Sequence, residues 1–342
     1  MRESVDAQHG SAPGCTARTG LARIARDRPD GPRDAMESSN GGAAAMAWGS
    51  ALGITAVYVG SLYLWPEVPS EGRNHPRTVR KRFASLAGAC AAACVPVMRA
   101  ITASPVPEAV ARAGVTPPAS LAAALGVAPR PMAAATSTAA SLALAAALFL
   151  GPLTHLAIDN KLGSRFGRAL HIDDSLKLRD YVVAPLAEEF AFRACVTCCL
   201  AWSGSCTVAS CVFLSPMCFG AAHLHHFREL RRTRGLGAAG VIIGAQFAYT
   251  AAFGWFAAFT FLRTGHLCGP VAAHSFCNVM GLPDLGGALG HRKKGVIVGA
   301  YVVGIAAFIA GLWPATDPRL HPGSAWDDLV AVGRAAGGRG GG

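Results

Sequence analysis

Apolar residues along this chain fall into eight long runs that are separated by shorter polar stretches. The runs cover residues 44–65, 83–104, 131–157, 180–202, 206–224, 237–262, 267–281 and 295–313. Most of them are close to the ~20 residues that an α-helix needs to cross a bilayer. The seventh run is shorter and crosses only if its helix is tilted or shielded by neighbours. The pattern therefore predicts an all-α polytopic membrane helix bundle with about eight transmembrane helices.

The polar ends of the chain set the predicted domain boundaries. Residues 1–41 contain six Arg and six Asp plus Glu and have no apolar signal-peptide core, which favours a disordered N-terminal tail. Residues 42–313 are expected to form one multi-pass membrane domain. Residues 314–342 end in a Gly- and Arg-rich sequence that is typical of a flexible tail.

The composition fits a membrane protein better than a soluble one. Hydrophobic residues make up 52% of the chain and charged residues 15%, whereas a soluble domain carries about 25% charged residues. The net charge is +11, but Lys and Arg lie in short clusters between the apolar runs. This placement argues against a nucleic-acid-binding protein, which needs one basic face on a soluble fold. Most of the eleven cysteines lie inside the apolar runs and are expected to act as small apolar residues.

The basic residues also predict how the bundle is oriented. The four odd-numbered connections between runs contain 17 Lys and Arg residues, and the three even-numbered ones contain three. Positively charged loops stay in the cytosol, so the odd-numbered connections are expected there. Both tails are then expected on the opposite side of the membrane.

Polar side chains that lipid disfavours interrupt three of the runs. They are Glu188, Glu189 and Arg193 in the fourth run, His223 in the fifth run, and His274 with Asn278 in the seventh. Ionisable side chains inside a membrane are costly and face the bundle interior or a wet cavity. These residues therefore indicate a buried functional site.

Helical spacing predicts different positions for the two adjacent glutamates. Glu189 and Arg193 are four residues apart, so they share a helix face and are expected to form an ion pair. Glu188 lies about 100° around the helix from Glu189, which leaves it free to point into a cavity. His274 and Asn278 are also four residues apart, and one face therefore presents an imidazole and an amide together.

The depths of these residues in the membrane agree with one another. Glu188 lies nine residues beyond Arg179, or ~13 Å into the helix at 1.5 Å per residue. His274 lies seven residues before Gly281, or ~10 Å deep. His223 lies near the cytosolic end of the fifth run. All three are thus expected in the cytosolic half of the membrane.

Three kinds of function suit this group. A carboxylate beside an imidazole can take a proton from water, and a second imidazole with an amide can stabilise an oxyanion, as in a peptidase. Two imidazoles and a carboxylate, from Glu188, His223 and His274, could instead hold a catalytic zinc ion, although the chain contains no H-E-x-x-H motif. An intramembrane Glu–His set also occurs in proton relays of transporters, and a non-enzymatic scaffold is the remaining alternative.

The motifs together resemble a known family. E-E-x-x-x-R at 188–193, F-x-x-x-H at 219–223 and H-x-x-x-N at 274–278 occur in this order in the CAAX prenyl protease 2 family, the eukaryotic type II CAAX endopeptidases, which are glutamate-type intramembrane proteases. Flanking segments such as APLAEEFAFRAC and FGAAHLHHF look like the membrane core of that family. The resemblance covers about residues 179–283, which are expected to form the catalytic core.

The resemblance implies a peptide hydrolase, a CAAX prenyl endopeptidase, of the endoplasmic reticulum membrane. Its substrates would be farnesylated or geranylgeranylated CAAX proteins such as small GTPases, bound at the membrane lipid, and it would remove their last three residues without a cofactor. By position in the motifs, Glu188 and His223 would activate water, His274 and Asn278 would stabilise the oxyanion, and Glu189 and Arg193 would be supporting residues.

Overall fold

The structure, a computed structural model, describes residues 32–65, 74–222 and 227–337. The chain divides into two units, residues 1–42 and 43–342. Of the first unit the structure describes helical backbone from Pro32 onward, inside the tail that the sequence predicted to be disordered. The candidate site lies wholly in the second unit.

The described residues form helices joined by short connections, and no strand occurs among them. In chain order the helices are α1 (Pro32–Ser61), α2 (Pro76–Ile101), α3 (Glu108–Arg112), α4 (Leu121–Ala124), α5 (Pro131–Leu148), α6 (Leu150–Ile158), α7 (Leu162–Leu170), α8 (Ser175–Leu178), a first π-helical segment (Arg179–Val183), α9 (Ala184–Glu189), a second π-helical segment (Phe190–Val196), α10 (Thr197–Trp202), α11 (Val208–Ala222), α12 (Phe227–Arg234), α13 (Leu236–Thr264), α14 (Cys268–Met280), α15 (Leu285–Gly290), α16 (Lys294–Ala315), a 3₁₀ turn (Pro318–Leu320) and α17 (Trp326–Gly337).

Five helices in the described part of the chain are long and apolar enough to cross a membrane. They are α1, from Gly42 onward, with α2, α5, α13 and α16. This confirms the predicted all-α polytopic membrane bundle.

The fourth, fifth and seventh predicted spans differ from these five helices in length or charge. The fourth is a continuous helix from Ser175 to Trp202 that carries several charges, and α11 and α14 are only 15 and 13 residues long. The total of eight spans therefore stays a prediction.

The fourth span is an α-helix that widens twice into π-helix. Pro185 has no N–H, so it cannot donate to the carbonyl of Tyr181, four residues before it, which lies in the first π segment. At the end of the second π segment, Oγ1 of Thr197, the first residue of α10, donates to the Phe192 carbonyl at 3.0 Å. Such π segments often mark functional sites. Here they enclose α9, the six-residue helix with the two adjacent glutamates.

Small residues let the helices that carry the site approach closely. A Cβ atom on Gly269 of α14 would lie 2.3 Å from Ser137 Oγ and 2.5 Å from Ser141 Oγ on α5. A Cβ atom on Gly304 of α16 would lie 2.3 Å from the Ala147 carbonyl oxygen on α5. Close approach over small residues is how membrane helices associate, because water does not drive them together. This packing fixes α14 and α16 against α5.

Part of the C-terminal segment that we expected to be flexible is instead a packed helix. Leu329 and Val332 of α17 are 5% and 1% exposed. The residues that precede α17 are also held in place. The Arg263 guanidinium, at the end of α13, donates to the Thr316 carbonyl at 3.1 Å and to the Trp313 carbonyl at 3.2 Å. The apolar residues at helical spacing account for the difference, because they bury one face of α17 although the last residues are Gly- and Arg-rich.

Candidate active site

Two neighbouring stretches of helix supply the described candidate residues. Glu188 and Glu189 lie at the end of α9, and Arg193 lies in the second π segment. His274 and Asn278 lie on α14. Glu189, Arg193 and His274 are 0%, 1% and 8% exposed, whereas the Glu188 side chain is 22% exposed. The two glutamates therefore differ in environment, and Glu188 is the one that reaches open space.

Arg193 forms the ion pair that the helical spacing predicted. Its Nε atom lies 3.1 Å from Glu189 Oε2. The guanidinium carbon lies 4.4 Å from the ring centre of Phe219 and 5.6 Å from that of Phe253. Among the described residues, none of the three guanidinium nitrogens has a hydrogen-bond partner, so the contact with Glu189 is an ion pair. Arg193 is thus held by one carboxylate and two aromatic faces.

Glu189 has a second contact that the sequence did not predict. Its Oε1 atom lies 2.8 Å from Nδ1 of His274. Helical spacing placed Glu189 with Arg193 and left the histidines to Glu188. That reasoning considered one helix at a time, whereas the imidazole comes from α14 and has a nitrogen on each side. Both glutamates therefore flank the same ring.

Glu188 faces the other nitrogen of that ring. Its Oε2 atom lies 3.7 Å from His274 Nε2, which is beyond direct hydrogen-bonding distance. At such a separation one water molecule can bridge the two groups. The carboxylate and the imidazole can therefore share one water molecule. The sequence paired Glu188 with His223 for activating water and assigned His274 to the oxyanion, and both roles stay predictions.

Asn278 lies one helical turn after His274 but makes a different contact. Its Nδ2 atom donates to the Asp180 carbonyl at 2.8 Å, and the side chain is exposed. Asp180 belongs to the first π segment, so this bond connects the end of α14 to that segment. The amide keeps a second N–H. Its predicted role towards an oxyanion stays a prediction.

His223 lies outside the described residues, as do His225 and His226. The proposed water-activating partner of Glu188 is therefore not placed, and neither is one member of the alternative zinc set Glu188, His223 and His274. Within residues 32–65, 74–222 and 227–337, no three His, Cys, Asp or Glu side chains are grouped so as to hold a metal ion.

Aromatic rings surround the charged groups. The ring centre of His274 lies 4.9 Å from Phe253 and 6.3 Å from Phe219, and Phe219 continues to Phe192 at 5.2 Å. Tyr58 of α1 packs on Phe192 at 5.3 Å, a contribution to the surroundings of the site that no motif indicated. In such apolar surroundings the hydrogen bonds and ion pairs are stronger than in water.

Comparison with known proteins finds a family match over the segment that contains the site. Residues 176–280 match the family described as Type II CAAX prenyl endopeptidase Rce1-like, and they contain every described candidate residue. The chain is 35% identical to CAAX prenyl protease 2 of Homo sapiens over 320 residues, which are 88% of this chain and 92% of the relative. No solved structure matches the chain.

Two further relatives extend the match across eukaryotes. CAAX prenyl protease 2 of Rattus norvegicus is 32% identical over 318 residues, covering 88% of this chain and 91% of the relative. Probable CAAX prenyl protease 2 of Schizosaccharomyces pombe is 31% identical over 277 residues, covering 78% of this chain and 92% of the relative. With nearly the full length of these relatives matched, the chain belongs to the CAAX prenyl protease 2 family.

Proposed function

We propose that this protein is an intramembrane endopeptidase that removes the C-terminal tripeptide from prenylated CAAX proteins. The observation that carries the proposal is the placement of His274 between two glutamates, 2.8 Å from Glu189 and 3.7 Å from Glu188, in a bundle of the CAAX prenyl protease 2 family. A peptidase of this kind needs a base for water and a polar group for the oxyanion inside an apolar cavity.

The reaction follows from the proposed roles. Glu188, with His223, takes a proton from water, and the water oxygen attacks the backbone carbonyl carbon of the prenylated cysteine. The carbonyl oxygen becomes an oxyanion, to which His274 and Asn278 donate hydrogen bonds. When the C–N bond breaks, the proton passes to the leaving amine. The products are a prenylcysteine with a free carboxylate and a tripeptide.

The membrane setting suits a prenylated substrate. A prenyl chain gains about 0.8 kcal/mol for each CH₂ group that it buries in lipid, so the bilayer concentrates farnesylated or geranylgeranylated proteins such as small GTPases next to the bundle. We propose the endoplasmic reticulum membrane as the location and the cytosolic half as the depth of the site. The support for that depth is the excess of Lys and Arg in the odd-numbered connections.

A cleavage assay with the reconstituted full-length protein tests the proposal. A farnesylated CAAX peptide is expected to release its tripeptide, and the same peptide without the prenyl group is expected to react much more slowly. Glu188→Ala, His223→Ala and His274→Ala are each expected to lower the rate at least ~10³-fold while the protein stays folded. His155→Ala is the matched control, because the contacts of this histidine are with Asp159 at 3.9 Å and with the His291 ring.

Two outcomes would overturn the peptidase. If Glu188→Ala turned over at nearly the normal rate, the carboxylate would not activate the water. If the wild-type protein released no tripeptide from any prenylated peptide, the non-enzymatic scaffold or transporter would become the better explanation.

A zinc-dependent peptidase of the same substrates is the second candidate, and one observation favours it. Glu189 lies behind Nδ1 of His274, where carboxylates lie behind the histidine ligands of zinc sites. Metal analysis of the purified active protein separates the two mechanisms. Full activity without stoichiometric zinc would leave the glutamate mechanism alone, and loss of activity on chelation with recovery on added zinc would favour the metal.

A further inference from the structure

We propose that Glu189, charge-balanced by Arg193, is a positioning residue that fixes the tautomer and the orientation of the His274 ring. The family motif contains this glutamate and arginine, and the sequence indicated only an ion pair within one helix for them. The inference rests on the proposed peptidase function, since it assigns a part in that reaction to a second carboxylate. It stands on three features of the described residues.

The first feature is that both oxygens of a fully buried carboxylate have a partner. Glu189 is 0% exposed, its Oε2 faces Arg193 at 3.1 Å, and its Oε1 faces His274 at 2.8 Å. A buried charge without a partner costs several kcal/mol. Arg193 therefore allows the carboxylate to stay charged at this depth, so that Glu189 can act on His274 as an anion.

The second feature is the direction of the hydrogen bond. A charged carboxylate only accepts hydrogen bonds, so Nδ1 of His274 must carry the hydrogen. This leaves Nε2 as the ring nitrogen that faces Glu188 and the space for water and substrate. In the neutral ring Nε2 is an acceptor, so it donates to the oxyanion, as proposed above, only in the ring that has a proton on both nitrogens. In both forms Glu189 determines which nitrogen takes part in the reaction.

The third feature is the way Arg193 is held. Its terminal nitrogens have no hydrogen-bond partner among the described residues, and its guanidinium lies against Phe219 and Phe253. The same two rings lie against His274. The two rings thus contact both Arg193 and His274, the outer members of the series Arg193–Glu189–His274. These contacts limit rotation of the imidazole about χ2, a torsion that otherwise has a broad range of values.

Glu189→Gln is the sharpest variant because it changes the hydrogen-bonding pattern without changing the shape. Arg193 would attract the amide oxygen, so the NH₂ group would face His274 Nδ1. An NH₂ group donates, and it would therefore favour the tautomer with hydrogen on Nε2. The ring would then donate to the oxyanion without a positive charge and without the carboxylate that orients it. We expect kcat for a farnesylated CAAX peptide to fall ~10²- to 10³-fold, about the effect of losing one oxyanion donor, and KM to change less than ~3-fold.

A double variant separates positioning from stability. In Glu189→Gln/Arg193→Met the buried ion pair is replaced by two uncharged side chains, a change that is often neutral for folding. We expect its thermal stability to return close to the wild-type value while kcat stays at the level of Glu189→Gln. Recovery of kcat together with stability would overturn the proposal, because the pair would then be purely structural.

A spectroscopic measurement tests the tautomer without relying on turnover. The full-length protein labelled with ¹⁵N-histidine in micelles gives imidazole ¹⁵N resonances, and those missing in His274→Ala belong to His274. We expect a protonated Nδ1 in the wild type and a loss of that protonation in Glu189→Gln. An unprotonated Nδ1 in the wild type would refute the inference even if the peptidase activity is confirmed, whereas an inactive wild type would refute only the proposed function.

Discussion

Two buried arginines, Arg193 beside the candidate site and Arg263 at the end of α13, use the same side chain in different ways. Both lie on aromatic rings, Arg193 on Phe219 and Phe253, and Arg263 on a cluster that includes Trp313 at 4.5 Å. Arg193 is 1% exposed and Arg263 is 6% exposed. They differ in the groups that their guanidinium nitrogens face.

Arg263 donates to neutral groups in the last turn of α16 and just beyond it. Its Nε reaches the carbonyl and the hydroxyl of Thr316 at 3.1 and 3.0 Å, and its Nη2 reaches the Trp313 carbonyl at 3.2 Å. Arg193 instead faces a carboxylate that also contacts an imidazole. Arg263 therefore fixes the position of a segment, whereas Arg193 supports a charge that another residue uses. Burial does not distinguish the two cations, whereas the groups that they face do: Arg263 donates to neutral oxygens and Arg193 forms an ion pair.

The largest effect is expected when the charge at position 193 is removed. Arg193→Met leaves Glu189 charged and unpaired in an apolar environment, and breaking a buried pair in this way costs about 3–5 kcal/mol. Turnover per folded molecule is expected to fall at least ~10²-fold, because the carboxylate behind His274 is displaced or neutralised. Thermal unfolding measures the loss of stability, and tripeptide release measures the loss of turnover.

Arg193→Lys is the control for that variant. It keeps a positive charge near Glu189, so it should retain clearly more turnover than Arg193→Met, although a lysine lacks the planar group that stacks on Phe219. Equal losses in the two variants would show that shape, not charge, matters at this position.

A smaller effect, and one on stability alone, is expected at the other arginine. Arg263→Met loses hydrogen bonds to Thr316 and Trp313 together with its aromatic contacts, for a total of about 2–4 kcal/mol. Turnover per folded molecule should stay within ~2-fold of the wild type, since the site is untouched. Hydrogen exchange should rise first in α17. A loss of turnover as large as that of Arg193→Met would remove the distinction between the two regions.

The long helices could be predicted from the sequence, because lipid requires continuous apolar runs and the runs are visible in one dimension. The interruptions of these helices were not predicted, even where a glycine or a proline accompanies them. Gly151 and Pro152 accompany the break between α5 and α6, and Pro185 accompanies the first π segment. The helix α17 was missed because its buried residues Leu329 and Val332 lie beside a Gly-rich end.

Four of the predicted site residues lie together in the described structure, namely Glu188, Glu189, Arg193 and His274, but their arrangement was not predicted. The costly charges in apolar runs identified Glu188, Glu189 and His274, and spacing within one helix identified the pair of Glu189 with Arg193. The contact of Glu189 with His274 joins residues that are 85 positions apart. It depends on how α9 and α14 pack, and helical periodicity contains no information about that.

A still smaller effect is expected where α11 and α13 meet beside Arg193. A Cβ atom on Gly254 of α13 would lie 2.6 Å from Pro216 Cβ on α11 and 3.3 Å from Arg193 Nη2. Gly254→Ala should therefore separate α11 from α13 and destabilise the protein by about 1–3 kcal/mol, with a several-fold loss of turnover. Gly244→Ala, on the same helix, has nothing within 4 Å of the new atom and should be neutral or slightly stabilising. Thermal unfolding compares them, and equal behaviour would contradict the packing argument.

The smallest effect is expected at Asp317, which lies outside the membrane-spanning helices and next to the segment that Arg263 holds. The Arg319 side chain and backbone N–H donate to this carboxylate and, with Arg263 nearby, lower its pKa to about 2. Since the folded-state pKa is below the usual value near 4, the charge stabilises the fold above about pH 4, and this contribution is lost as the pH falls through 2. Asp317→Asn keeps the hydrogen-bond acceptor that begins the 3₁₀ turn but loses the charge. Its melting temperature should be slightly below that of the wild type at pH 7, and the difference should shrink between pH 4 and pH 2. A difference that is the same at both ends of this range would mean that the carboxylate acts through its shape, and that the segment after α16 depends on the hydrogen bonds of Arg263 alone.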